Sequence, residues 1–97
     1  MSGYVLTPDA EADLKEIRDW YRRERGHEAA RRVLQDLRAT MRRLARNPRI
    51  GHPRADLLPA ELLVWPHYRY LIVYRPETKP LQVVRVWDAS RGTPNLF

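Results

Sequence analysis

The stretch YRYLIVYRPETKPLQVVRVWDASR, residues 68–91, decides how the rest of the chain folds. Its two runs, Tyr68–Arg75 and Leu81–Trp87, are dense in the β-branched and aromatic residues that are typical of strands. The Pro-flanked segment PETKP separates these runs. The stretch therefore predicts an antiparallel β-hairpin with its loop at residues 76–80.

Side chains alternate along a strand, so a pairing register for this hairpin also assigns its two faces. If Arg75 pairs with Leu81, one face is apolar and predicts the core: it carries Tyr70, Ile72, Tyr74, Val84 and Val86. The opposite face mixes guanidinium groups with apolar side chains: Arg69, Leu71, Val73, Arg75, Val83, Arg85 and Trp87. Such a mixture favours contact with another macromolecule, so we expect this second face to be open.

Two helices are predicted upstream of the hairpin. The first follows a short strand at Tyr4–Leu6, because Thr7 can cap a helix and Pro8 suits its first position, and it ends before Gly26. The second covers residues 28–46 and stops at Asn47. Apolar residues recur at helical spacing in both: Ala10, Leu14, Ile17 and Tyr21 in the first, and Ala30, Val33, Leu34, Leu37, Met41 and Leu44 in the second.

A further strand of the sheet is predicted at Glu61–Trp65, between the second helix and the hairpin and after a loop rich in Pro and Gly. The short link at Gly26 and His27 forces the helices into an antiparallel hairpin, whose joint apolar stripe must cover the sheet. The predicted fold class is α+β, with the order β-α-α-β-β-β and the helical hairpin packed on one face of a small, mostly antiparallel sheet. All 97 residues fit a single domain.

The composition narrows the functional classes. Cysteine is absent, so disulfides, thiolate metal sites and thiol nucleophiles are excluded. The sequence contains neither a leader nor an apolar run long enough to cross a bilayer, and we expect a cytoplasmic protein without membrane contact. The net charge is +6 at pH 7, and between residues 29 and 54 eight arginines accompany a single acid, Asp36. That stretch favours an acidic protein or a nucleic acid as partner, although it also fits a solvated helix face.

Residues with catalytic potential are few. The histidines His27, His52 and His67 lack the spacing of a metal pair, and no Gly-rich phosphate loop, nucleophile elbow or carboxylate pair is present. We therefore predict no metal and no cofactor. Arg69, Arg85 and Arg91, with Asp88 and His67, are expected at one end of the hairpin. In a nuclease His67 would have to move the proton, because arginine is a poor general base.

Four motifs, in their order, resemble the ParE branch of the RelE/ParE toxin family of bacterial toxin-antitoxin modules. They are LTPDAEADLKEI with Tyr21, an alanine-led helix ending at Leu44 and followed by Pro48 and Gly51, YRYLIVYR, and VVRVWDASR. The resemblance spans nearly the whole chain and implies the fold that periodicity predicts. It also implies a ParD-like antitoxin with an acidic tail, encoded next to the toxin, that wraps the toxin and keeps it silent.

The resemblance leaves two activities open. RelE-like members are ribosome-dependent mRNA endonucleases, whereas ParE-like members poison DNA gyrase and have no recognised nuclease site. Family members commonly have R-V-L-H in the final strand, where this chain has Arg85, Val86, Trp87 and Asp88. A carboxylate at the last position repels RNA phosphates. We therefore expect a non-enzymatic toxin that binds gyrase, with a RelE-like nuclease using His67, Arg69 and Arg85 as the alternative.

These arguments assign two sets of binding residues and no catalytic or metal-binding residue. The target-binding set is Arg69, Arg85, Trp87, Asp88 and Arg91. The antitoxin-binding set is Trp20, Arg31, Arg38 and Arg42, although Trp20 would also fit a role in closing the edge of the core. A third possibility, direct nucleic-acid binding by the basic helix, lacks a recognition-helix motif and is not expected.

Overall fold

The computed structural model describes residues 3–92, which form two helices and a four-stranded sheet. The elements are β1 (Tyr4–Leu6), α1 (Pro8–Arg25), α2 (His27–Arg46), β2 (Leu63–His67), β3 (Tyr70–Arg75) and β4 (Leu81–Asp88), with single 3₁₀ turns at Pro48–Ile50 and Ala89–Arg91. The predicted element order and α+β class are confirmed. The strand predicted at Glu61–Trp65 begins and ends two residues later, as β2.

The sheet has the order β1-β4-β3-β2. The β2–β3 and β3–β4 pairs are antiparallel hairpins, and β1 joins the edge of β4 in parallel. β1 pairs only with Leu81–Val83, so the second half of β4 is paired with β3 on one side and has no strand on the other. That uncovered edge is where the candidate site forms.

The first helix starts where the sequence places its cap. The Thr7 hydroxyl accepts a hydrogen bond from the Ala10 amide at 3.1 Å and donates one to the Val84 carbonyl at 2.8 Å, which ties the helix start to β4. Gly26 separates the helices with a φ of +92°, a conformation that residues with a Cβ rarely adopt. This single left-handed residue makes the short helical hairpin possible.

The main core lies between the helices and one face of the sheet. The predicted stripes are buried there: Ala10, Leu14 and Ile17 of α1 and Leu34, Leu37, Met41 and Leu44 of α2 contact Tyr70, Ile72, Tyr74, Leu81, Val83 and Val86. Tyr21 and Val33 are half-buried at the margin of this core. Burial of these stripes accounts for the docking of the helical hairpin.

The predicted register of the β3–β4 hairpin is wrong by one residue. Arg75 pairs with Gln82 instead of Leu81, and a bulge between Val73 and Tyr74 shifts the remaining pairs. Val83 therefore faces the main core, whereas Val84, predicted there, packs on the opposite face. One extra residue on a strand reverses the side-chain alternation, which explains the exchange.

The opposite face of the sheet is not open, contrary to expectation. Leu58 and Leu62, from the segment before β2, are buried there against Val64 and Val73. Leu57, Leu71 and Val84 pack at the edge of this second cluster. The chain thus covers the middle of this face itself, so that part of the face is not available to a partner.

Candidate functional site

A cleft of about 240 Å³ lies where α1 crosses the uncovered edge of β4. All five residues predicted to bind the target line it: Arg69, Arg85, Trp87, Asp88 and Arg91. Helix α1 supplies the facing wall through Asp13, Glu16 and Trp20. The structure therefore brings the predicted residues together, at the end of the sheet, and their role in binding stays a prediction.

Arg85 is fixed by Asp13, its partner across the cleft. The Arg85 Nε and one terminal nitrogen donate to the two carboxylate oxygens of Asp13 at 2.7 and 2.9 Å. The backbone amide of Val86, on the strand edge that β1 leaves uncovered, also donates to Asp13 at 2.9 Å. Hydrogen bonding to Asp13 raises the pKa of Arg85, and the guanidinium carbon lies 5.2 Å from the centre of the Trp87 ring. Asp13 thus joins α1 to β4 and orients Arg85 at once.

Arg69 lies against the rings of Trp20 and Tyr70 and bonds Asp88. Its guanidinium carbon lies 5.2 Å from the ring centre of Trp20, and a terminal nitrogen donates to Asp88 at 2.8 Å. Asp88 also accepts hydrogen bonds from the amide and hydroxyl of Ser90. Burial raises the pKa of Asp88, but the hydrogen bonds from Arg69 and Ser90 outweigh burial and lower this pKa below its ordinary range. Asp88 is therefore a structural acceptor held in its charged form.

The cleft carries no net charge at pH 7. Its third arginine, Arg91, donates to Glu16 at 2.8 Å, so the three arginines of the lining face three carboxylates of the same chain. A nucleic acid depends on unpaired cations for most of its affinity and gains little from such a surface. The charge balance, together with Trp20 and Trp87, favours a protein surface as ligand.

The wall of the cleft that carries the acids Asp13 and Glu16 was not predicted from the sequence. Asp13, Glu16 and Trp20 follow one another at spacings of three and four, which places them on one side of α1 next to its apolar stripe. That spacing was the available signal. Trp20 was grouped with the arginines of α2, but it is half-buried in the cleft beneath Arg69.

His67 is not part of the cleft, so the structure does not assemble the nuclease constellation of His67, Arg69 and Arg85. Its Nδ1 shares a 2.9 Å hydrogen bond with the Thr40 hydroxyl of α2, and its Nε2 is buried without a partner. Burial lowers the pKa of His67, while the more distant charge of Asp36 opposes this shift. A neutral imidazole that holds β2 against α2 fits this environment.

The lowered pKa predicts a pH dependence of stability. The unfolded chain binds a proton at His67 near pH 6.5, whereas the folded chain does so only at lower pH. The contribution of His67 should thus be complete above about pH 6.5 and decline as the pH falls through that window. We expect urea unfolding of the wild type to lose more stability between pH 7 and pH 5 than unfolding of His67→Asn, which cannot titrate. An identical loss in both proteins would contradict this role.

The arginines of α2 form a separate basic surface. Arg31, Arg38 and Arg42 are all exposed, and Arg31 bonds Glu28 at 2.6 Å. Arg38 also lines a groove between the helices and β1, which has an apolar floor of Leu6, Leu14 and Leu34. Trp20 does not line this groove. The four residues predicted to bind one partner therefore lie on two surfaces.

The described residues contain no group of three or more His, Cys, Asp or Glu side chains that could hold a metal ion. Within residues 3–92, neither helix is long and apolar enough to cross a membrane.

Both sequence and fold relate this chain to known proteins. The family described as ParE toxin of type II toxin-antitoxin system, parDE, matches residues 4–92. The chain belongs to the ParE toxin family. It is 31% identical over 86 residues to Toxin ParE of Escherichia coli, an alignment that covers 89% of this chain and 84% of that protein. A solved structure, the chromosomal ParDE TA system from P. aeruginosa, matches with a TM-score of 0.71 and 25% identity over 86% of this chain and 90% of the other.

Membership in the ParE family confirms the resemblance drawn from the four motifs, and the chain is a ParE toxin of a type II toxin-antitoxin system. The matched range includes the whole cleft, from Asp13 to Arg91. The acid at Asp88, where the family pattern commonly has histidine, is here the partner of Arg69.

Proposed function

We propose that this ParE toxin acts by binding DNA gyrase through the cleft, in the cytoplasm and without catalysis. Gyrase is the target that the ParE resemblance implies. The observation that carries the proposal is the cleft itself, in which arginines oriented by the chain's own carboxylates lie beside two half-buried tryptophans. Arginine and tryptophan are the residue types that most often dominate the energetics of protein interfaces.

The cleft is better suited to binding than to bond cleavage. Its arginines stay protonated, and hydrogen bonding within the ion pairs raises the pKa of both Arg69 and Arg91 further. His67, the proton carrier that a nuclease would need, lies outside the cleft and bonds Thr40. These features support a stoichiometric poison over a ribonuclease.

The proposal also includes neutralisation by a ParD-like antitoxin. An acidic segment of that partner would lie along α2 and pair with Arg31, Arg38 and Arg42, all of which are exposed. The apolar floor of the groove beside Arg38 would take apolar side chains of the same segment. Trp20 would be reached only by an antitoxin that extends into the cleft, which would also block the target.

Arg91 offers the test of the target site, because its ion pair with Glu16 is more than half exposed and contributes little to stability. We expect Arg91→Ala to bind gyrase at least about tenfold more weakly and to lose growth arrest, since a charged hydrogen bond that the partner desolvates contributes more to binding than a neutral one. The measurements are colony formation after induction and the amount of cleaved DNA that purified toxin traps on gyrase.

The matched control is Arg54→Ala, which removes an exposed arginine, also ion-paired, outside the cleft. It should leave growth arrest unchanged. Arg85→Ala serves as the second site variant, with its unfolding curve recorded because Arg85 also bonds Asp13. Undiminished growth arrest in both Arg85→Ala and Arg91→Ala would refute the site, and a toxic wild type that traps no cleaved DNA would refute gyrase as the target.

A further inference from the structure

The two-residue loop between β2 and β3 contains an unusual residue. His67 pairs with Tyr70, so Tyr68 and Arg69 form the whole loop. Within residues 3–92, Tyr68 is the single non-glycine residue with a positive φ, at +53°. Its side chain is also the most exposed of the large hydrophobic ones in that range, at 92%.

Both the backbone conformation and the solvent exposure of Tyr68 are unfavourable for a tyrosine. A left-handed conformation is unfavourable for a residue with a bulky side chain, and glycine or asparagine is the usual choice at such a hairpin position. The ring makes an edge-on contact with His67, with the centroids 5.0 Å apart, but is otherwise surrounded by solvent. The fold thus gains little from a tyrosine at this position and would accept glycine.

The loop is fixed to the cleft. The carbonyl of Arg69, the next residue, accepts a hydrogen bond from the Ala89 amide at 2.7 Å. The Arg69 side chain extends into the cleft, over Trp20 and onto Asp88. Tyr68 thus directly precedes a residue that lines the cleft and whose backbone is bonded to Ala89, although Tyr68 itself does not line the cleft.

We propose that Tyr68 is an aromatic anchor for the protein target that occupies the cleft, an inference that rests on the proposed function. The cleft's three internal ion pairs leave it without net charge, which favours a protein over a nucleic acid. Tyrosine contributes a large contact area with few rotatable bonds, as anchor residues in interfaces commonly do. Tyr68 would extend the surface formed by Arg69 and Trp20.

The decisive variant is Tyr68→Gly, because it removes the ring and relieves the backbone at once. We expect its melting temperature to equal or exceed that of the wild type, while its affinity for purified gyrase, measured by biolayer interferometry, falls at least about tenfold. Tyr68→Phe keeps both ring and strain, and should bind within about threefold of the wild type. A residue with a purely structural role could not produce higher stability together with weaker binding.

Growth arrest gives a second readout that does not depend on the identity of the target. If the wild type arrests growth without binding gyrase, gyrase fails as the target, and loss of arrest in Tyr68→Gly still supports the anchor. Full arrest by Tyr68→Gly overturns the inference. So does a Tyr68→Gly variant whose only defect is weaker binding of the antitoxin or of a labelled oligonucleotide.

Discussion

Replacing Asp13 with alanine should lower the free energy of unfolding by about 2–3 kcal/mol, measured by urea denaturation. Two losses combine in this variant. The Arg85 side chain, only 21% exposed, loses a bidentate partner, and the Val86 amide loses its acceptor on the strand edge. Removing one partner of a fully buried pair costs about 3–5 kcal/mol, and the partial exposure of Arg85 places this variant below that range.

Glu28→Ala is the matched control for the Asp13 variant. It also removes a carboxylate bonded to an arginine, but the side chains of Glu28 and Arg31 are 70% and 67% exposed. We expect a much smaller loss there than in Asp13→Ala, because solvent screens the pair and the freed arginine is hydrated.

A double-mutant cycle separates the two losses at Asp13. Arg85→Ala should be milder than Asp13→Ala, because Asp13 keeps the Val86 amide as a donor. The double variant should be less destabilised than the sum of the single ones. If Asp13→Ala costs no more than Glu28→Ala, the link between α1 and β4 does not depend on Asp13.

Periodicity predicted the elements of this fold because each element carries its own signal. The stripe on α2 repeats at helical spacing over about four turns, and Thr7 with Pro8 marks the start of α1 whatever packs against it. The sheet faces are different. Val83 and Val84 are identical neighbours, so alternation alone cannot tell which of them faces the core, and the bulge decides it.

The sequence predicted that five residues of the cleft lie near one another, but it did not predict their contacts with α1. The five residues predicted to bind the target lie within 23 positions of one hairpin, so local pairing brings them together. Asp13 lies 72 positions from Arg85, and no local rule connects them. The cover of the far face was also hidden, because Leu58 lies in a Pro-rich loop and Leu62, predicted within a strand, lies just before β2. Contacts that depend on the path of a loop require the three-dimensional fold.

Gly51→Ala should lower the free energy of unfolding by about 2–3 kcal/mol, although alanine suits its backbone. The φ of Gly51 is −71°, so the cost comes from space alone. A methyl group there would overlap the hydroxyl of Tyr74 and lie 2.9 Å from its Cε1 atom. Tyr74 cannot move aside, because its ring is fully buried and its hydroxyl donates to the Pro48 carbonyl at 2.7 Å while accepting from the Gly51 amide at 2.9 Å.

Tyr74→Phe identifies the hydroxyl as the main obstacle to that methyl group. Alone, it should cost about 1–3 kcal/mol, because it leaves the Gly51 amide and the Pro48 carbonyl without their partner. Combined with Gly51→Ala it removes the nearest overlapping atom, so the double variant should be more stable than the sum of the single losses implies, by about 1 kcal/mol. Gly26→Ala is the control, since a methyl there meets open space and its cost arises from a φ of +92°. Its loss of free energy of unfolding should simply add to the loss caused by Tyr74→Phe. If the losses of Gly51→Ala and Gly26→Ala both add fully to the loss of Tyr74→Phe, then Gly51 is not packed against the Tyr74 hydroxyl.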